Sequence, residues 1–195
     1  MAQIDKRIKI KKLNTGSDTL VLPKQSKGNE GNVGKFYEKH LADMGFSMNA
    51  GQGVDIPGLN IENKTRNRDS RAFHTVGTMT YDNIINTPYE QSTIYQKLQQ
   101  QNRVEYDNTF NVVTNESVYD FRDPDIQKRL KDSYENARSI LRQQGGPGPG
   151  TIVGGQYGVF EWKSGNTYAH RIPDSGMKKM KVMAKSTFND LFQFV

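Results

Sequence analysis

From Gly53 to Lys64 the chain reads G-V-D-I-P-G-L-N-I-E-N-K. Between Leu59 and Thr65 apolar and polar residues alternate, with Leu59 and Ile61 on one side and Asn60, Glu62 and Lys64 on the other. Alternation of period two marks a half-buried strand, so Glu62 and Lys64 are expected to project together from one face of a sheet. Pro57-Gly58, just before, suits the two central positions of a type II turn. A tight turn there sets Asp55 across from Asn60 and diagonal to Glu62, a gap that long side chains bridge. A wider loop shifts that register.

Two carboxylates and an amine in this order suit metal-dependent cleavage of a phosphodiester. The ester is anionic and resists attack by water, so a hard divalent cation must neutralise it while another group positions the water. Asp55 and Glu62 supply oxygens suited to Mg²⁺, for which Mn²⁺ is expected to substitute, and the main-chain carbonyl of Asn63 adds a further ligand. Lys64 is placed to orient the nucleophile or to offset charge in the transition state. The competing reading of the same residues is an exposed strand with ordinary surface charges, and the spacing alone does not exclude it.

The wider chain adds weight to the first reading. Val33 to Glu38 reads V-G-K-F-Y-E, and Asp55, Glu62 and Lys64 form D-x6-E-x-K. Tyr95-Gln96-Lys97-Leu98 follows, and Lys185 to Leu191 reads K-S-T-F-N-D-L. In this order the four segments resemble the PD-(D/E)XK nuclease superfamily, in particular the branch of the mismatch-repair nicking endonuclease MutH and the GATC-cutting restriction enzymes. The resemblance implies an α/β fold, a mixed central β-sheet flanked by helices, with a smaller C-terminal lobe of β-hairpin and helix. It implies Asp55, Glu62 and Glu38 as metal-binding carboxylates, Lys64 as the residue that positions water, and Lys97 near the scissile phosphate. Glu38 also has a plainer reading as a surface residue beside Lys35 and Lys39, and Lys97 as a surface residue of a polar helix. The pattern is not met before the first helix. There Glu30 stands where the family has a basic residue, and Lys27 lies a turn earlier.

Composition agrees with an anionic partner. The 195 residues carry 27 Lys and Arg against 21 Asp and Glu, a formal charge of +6, and the pI is near 9.4. Such a surface favours a polyanion such as nucleic acid. With 34% hydrophobic residues, one modest core and much polar surface are expected. No cysteine is present, which excludes disulfides, thiolate metal sites and cysteine nucleophiles. No apolar run reaches transmembrane length, and the first residues lack a signal-peptide core. An intracellular monomer acting on double-stranded DNA is expected, with no membrane partner, together with an activating protein that the sequence does not name.

Outward from the motif, residues Met1 to Lys12 are basic with isoleucines interleaved, and Gly16 to Gly31 reads as loop. A first helix is expected from Asn32 to Met44 on the stripe Val33, Phe36, Tyr37, Leu41 and Met44. Arg66, Arg68 and Arg71 follow the motif and are candidates for phosphates flanking a scissile bond. Phe73 to Tyr81 is expected to supply the next core strand. A second helix, capped by Thr87 with Pro88 and Glu90 behind it, is expected to reach Gln101. Strands over Arg103–Tyr106 and Phe110–Phe121 precede a long helix capped by Asp123-Pro124. The run Gly145 to Gly150, G-G-P-G-P-G, marks a hinge or a stiff loop. It divides a core lobe, 1–144, from a C-terminal DNA-binding lobe, 151–195. In the latter Tyr168, Arg171, Lys178, Lys179 and Lys185 are candidates for DNA contact, although its aromatics also suit a small second core. The alternative to an enzyme is a non-catalytic DNA-binding module that keeps the nuclease fold. RNA ranks behind DNA because the aromatics form no stacking platform.

Overall fold

A computed structural model of the chain describes residues 8–24, 32–51, 53–69 and 74–180. In chain order its elements begin with β1 (Lys9–Lys12), α1 (Asn32–Asp43), β2 (Ile61–Asn67), β3 (His74–Thr80), α2 (Tyr81–Asn86) and α3 (Thr93–Lys97). There follow β4 (Gln100–Asp107), β5 (Val112–Asp120), α4 (Pro124–Gln144), β6 (Thr151–Gly155), β7 (Gly158–Ser164), β8 (Thr167–Ile172) and α5 (Asp174–Lys179). Lys185, with the segment Lys185 to Leu191, and Arg71, Lys27 and Glu30 lie outside the described residues.

The fold is mixed α+β, and its strands form two mostly antiparallel sheets where one central sheet was expected. One has the order β1-β5-β4-β2 and the other β3-β8-β7-β6. Contacts divide the described residues likewise into two compact units. One is drawn from Ile10–Arg71 and Gln99–Asp120 (the β2 unit), the other from Ala72–Leu98 and Phe121–Lys185 (the α4 unit). The contacts therefore do not divide the chain at Gly145–Gly150, because β3 pairs antiparallel with β8 and not with β2.

In the β2 unit, β2 runs parallel to β4, and β4 antiparallel to β5. α1 buries Val33, Tyr37 and Leu41, spaced by four, against Ile56, Ile61, Val104, Val113 and Val118. Phe36 and Met44, expected in that stripe, are 40% and 51% exposed. The helix stops where Gly45 takes a φ of 100° and the Phe46 N–H reaches back to the Leu41 carbonyl at 3.1 Å, a left-handed cap that glycine adopts without strain.

In the α4 unit, Asp123 caps α4 by accepting from the N–H groups of Asp125 and Ile126, with Pro124 at the first position. α4 lies on β6 and β7 so closely that a Cβ built on Gly154 would fall on the Ser133 carbonyl and 2.8 Å from the Ala137 Cβ. Backbone atoms cannot yield as a side chain can. Gly154→Ala is therefore expected to destabilise the protein by about 3 kcal/mol. Gly146→Ala, where a Cβ meets nothing, should stay within about 0.5 kcal/mol of wild type. Urea midpoints of the two variants check this.

The expected helix from Thr87 to Gln101 is replaced by a 3₁₀ turn at Tyr89–Gln91 and the short α3. The Ser92 hydroxyl accepts from the Tyr95 N–H at 3.0 Å and donates to the Tyr89 carbonyl at 2.6 Å. A serine that serves the backbone on both sides ends one turn and caps the next. Beyond α4, the Gly/Pro run is pinned to the sheet. The Tyr168 hydroxyl donates to the Gly148 carbonyl at 2.9 Å and accepts from its N–H at 3.0 Å.

His170 lies 1% exposed in the same unit, with the Phe160 ring edge-on at 5.1 Å and Tyr134 at 6.3 Å. Neither ring nitrogen has a hydrogen-bond partner among the described residues, and burial lowers its pKa from 6.5 to about 3. In the unfolded chain the imidazole takes a proton below its ordinary pKa, while the folded state takes one only near pH 3. Its neutral form therefore favours folding fully above pH 6.5, and that advantage is lost as pH falls toward 3. The difference in unfolding free energy between His170→Leu and wild type should shift in favour of the variant by about 1.4 kcal/mol per pH unit between pH 6 and 4. Urea unfolding across that range measures it, and a constant difference would refute it.

Candidate active site

The hairpin before β2 is wider than the Pro57-Gly58 turn suggests. Ile56 and Ile61 exchange both backbone hydrogen bonds, at 2.9 and 3.2 Å, which leaves four residues in the loop. Pro57 and Gly58 do occupy the centre of a turn closed by the Leu59 N–H on the Ile56 carbonyl. The left-handed position, however, falls to Asn60 at φ 55°, and Gly58 does not take it. A four-residue loop of this kind is built on a type I turn. The corrected register sets Asp55 opposite Glu62, where the expected one set it opposite Asn60. The Ile56–Ile61 bridge is isolated, so this register is counted from that one pair and is not carried on by a ladder. The Asp55 carboxylate then accepts the Asn63 N–H at 2.9 Å, which fixes it beside the residue that follows Glu62.

A buried polar chain lies beneath the strand. Asn63 points to the α1 side, where its side-chain oxygen accepts from Asn102 Nδ2 at 3.1 Å. The same amide donates to the Tyr37 hydroxyl at 2.9 Å, and that hydroxyl donates to Glu116. Thr15 completes the set, giving its N–H and its hydroxyl to Glu116 Oε1 at 2.8 and 2.9 Å. Burial, then Glu116, pushes the Tyr37 phenol well above its usual range. Asn63 and Asn102 are register partners in the β2–β4 pair. Their bond therefore holds β2 in the one register that turns Glu62 and Lys64 to the opposite face.

On that opposite face three rows can be read across the strands. Glu62 pairs with Gln101 and Gln101 with Tyr119; Lys64 pairs with Arg103 and Arg103 with Ser117; Arg66 pairs with Glu105 and Glu105 with Asn115. Glu62 is only 2% exposed, while Lys64, Arg66, Arg103 and Tyr119 are half-buried. Arg103 and Tyr119 were not among the candidates. The alternation Gln101, Arg103, Glu105 against Asn102, Val104, Tyr106 carried the signal, but only pairing with β2 gives it meaning.

The other candidates are distributed as follows. Glu38 is half-buried on the flank of the α1 stripe. Lys97 belongs to the α4 unit, where its stem lies over Gly77, 3.1 Å from a Cβ built there. Arg68 is engaged with Asp107 at 2.9 Å, whose carboxyl is held below its usual range chiefly by the Thr109 N–H. Tyr168 is corrected from a DNA-facing residue to a core one: it is fully buried, because alternation along β8 turns it inward. Arg171 pairs with Glu161 at 3.0 Å. Lys178 lies 3.7 Å from Asp174 on the exposed α5, next to Lys179.

Asp55, Glu62 and the Asn63 carbonyl are all hard oxygen donors. Mg²⁺ commonly takes one or two carboxylates and keeps several waters, so this donor set fits it. Among the described residues no three of His, Cys, Asp and Glu gather as a metal-ligating group, so Glu38 does not join Asp55 and Glu62 as a third carboxylate. No described helix is long and apolar enough to cross a membrane. No family model matches the chain, and neither does any curated protein.

Proposed function

We propose that the protein is a Mg²⁺-dependent endonuclease of the PD-(D/E)XK type, hydrolysing phosphodiester bonds in duplex DNA inside the cell and nicking one strand as MutH does. One observation carries this reading: the Asp55 carboxylate accepts the Asn63 N–H at 2.9 Å, at the residue that follows Glu62. Asp55 and Glu62 would hold the ion, with the Asn63 carbonyl beside them. A divalent cation bound there supplies charge to neutralise the phosphate and to lower the pKa of a bound water. Lys64, on the same face, orients that water or offsets the charge that builds on phosphorus. Half-burial of the face limits competing solvent and strengthens these interactions.

A DNA-binding module without turnover is the second reading, favoured by the absence, among the described residues, of any group of three His, Cys, Asp or Glu that could hold a metal ion. Incubating supercoiled plasmid with the protein decides between them. The endonuclease converts it to open circles with Mg²⁺ and not with EDTA. Plasmid that is bound and stays supercoiled in Mg²⁺ supports the module.

A further inference from the structure

The turn at 108–111 joins β4 to β5 and is fixed from below. Asp107 Oδ1 accepts the N–H groups of Thr109 and Phe110 at 2.7 and 3.3 Å, while its Oδ2 meets Arg68 Nη2 at 2.9 Å. Leu22 donates its N–H to the Asn111 carbonyl at 2.9 Å. Asn111 itself takes a φ of 54°, which asparagine tolerates better than most residues. On this scaffold Phe110 stands 73% exposed, as does Val21, whose bridge to Val112 sets it at the same end. They are the two most exposed large hydrophobic side chains among the described residues. A ring held out on an ordered turn loses little further freedom when a partner arrives. Its neighbours in the turn are neutral. Asn108 and Thr109 are exposed and Asn111 is half-buried, amides and a hydroxyl that suit base edges.

The tip also grows out of the strands that carry the candidate site. Arg68 comes next after Glu62, Lys64 and Arg66 on alternate positions, and its ion pair with Asp107 keeps both on that face. From Glu62 to Arg68 the strand covers about 20 Å, the rise of about six base pairs. A formal charge of +6 favours a polyanion as the partner over an apolar protein face. We propose that the turn inserts Phe110 as a wedge between base pairs of duplex DNA, about six pairs from the bond cut at Asp55 and Glu62. This rests on the endonuclease reading for its substrate. An apolar wedge flanked by amides enters from the minor groove, parts one base step and kinks the duplex. Arg68 is engaged with Asp107 and serves here as scaffold, not as a phosphate contact.

Duplexes carrying 2-aminopurine at successive positions, titrated with the full chain in EDTA over a range of salt, test this apart from cleavage. The wild type should raise the emission at one step, where the base loses a stacked neighbour. Phe110→Ala should lose that rise and bind about tenfold more weakly. Its slope of log K against log salt should stay that of the wild type, because no charge is removed. Phe110→Leu keeps an apolar wedge and should stay within about threefold of wild type. The exposed position leaves folding intact in both variants. Wild-type affinity and emission in Phe110→Ala would overturn the inference, as would a wild type that binds without unstacking any step or does not bind the duplex. Loss of self-association in Phe110→Ala with duplex binding unchanged would give the tip to a second copy and overturn it too. A wild type that unstacks the duplex but does not cut it in Mg²⁺ rejects the endonuclease alone and supports the wedge.

Discussion

Asp55→Asn and Glu62→Gln, made one at a time, are each expected to lower Mg²⁺-dependent nicking by about a thousandfold, the scale on which removing one well-placed electrostatic group acts. The amides separate charge from shape. An asparagine at 55 still accepts the Asn63 N–H through its side-chain oxygen, so the hairpin keeps the bond now seen at 2.9 Å. At 62 the side chain is almost wholly buried, and a glutamine fills the same volume without a charge to desolvate. Urea unfolding should therefore stay within about 1 kcal/mol of wild type for both. Lost activity with kept stability marks carboxylates maintained for chemistry. Lost stability with unchanged nicking would mark a structural pair.

Asn102→Leu is expected to destabilise the protein by about 3 kcal/mol and to lower nicking at temperatures where the variant is still folded. The amide serves Asn63 and Tyr37 at once, so its loss leaves a buried oxygen and a buried hydroxyl each short of a partner. Each such group costs about 1–3 kcal/mol. Asn63→Leu alone should cost about 2 kcal/mol. The pair Asn63→Leu with Asn102→Leu should cost less than the sum, since two facing apolar side chains strand only Tyr37. A double-mutant cycle by chemical denaturation measures that coupling, which should exceed about 1 kcal/mol. Activity should fall with Asn102→Leu because Glu62 and Lys64 depend on the β2 register that this bond holds. Full activity in a destabilised variant would separate the network from the site.

Local signals in the sequence reached as far as local physics does. α4 was legible because Asp123-Pro124 and Gly145 mark its two ends and its apolar residues recur at helical spacing. Alternation correctly set Glu62 and Lys64 on one face and Ile61 on the other, but Leu59, expected beside Ile61, is 49% exposed and Asn60 lies in the loop. The loop width was not legible, because Pro57-Gly58 fits a turn of either length and the left-handed Asn60 decides only once Ile56 and Ile61 pair. Thr87, Pro88 and Glu90 look like a helix start, yet Thr80 and Ser92 supply the caps that form. The strand partners were out of reach for the same reason. β3 has core-strand composition, but nothing within it says that it will lie along β8, almost a hundred residues later. Tyr168 sits among cations in sequence and inside the sheet in space, since a step of one residue along a strand reverses the face.

Calorimetric titration of Mn²⁺ into the protein bound to an uncleavable duplex bears most directly on Asp55 and Glu62 as the residues that hold the ion. The expected result is a saturable site in the wild type that disappears in both Asp55→Asn and Glu62→Gln, while the duplex stays bound. Uptake in either variant with wild-type stoichiometry and affinity would contradict it.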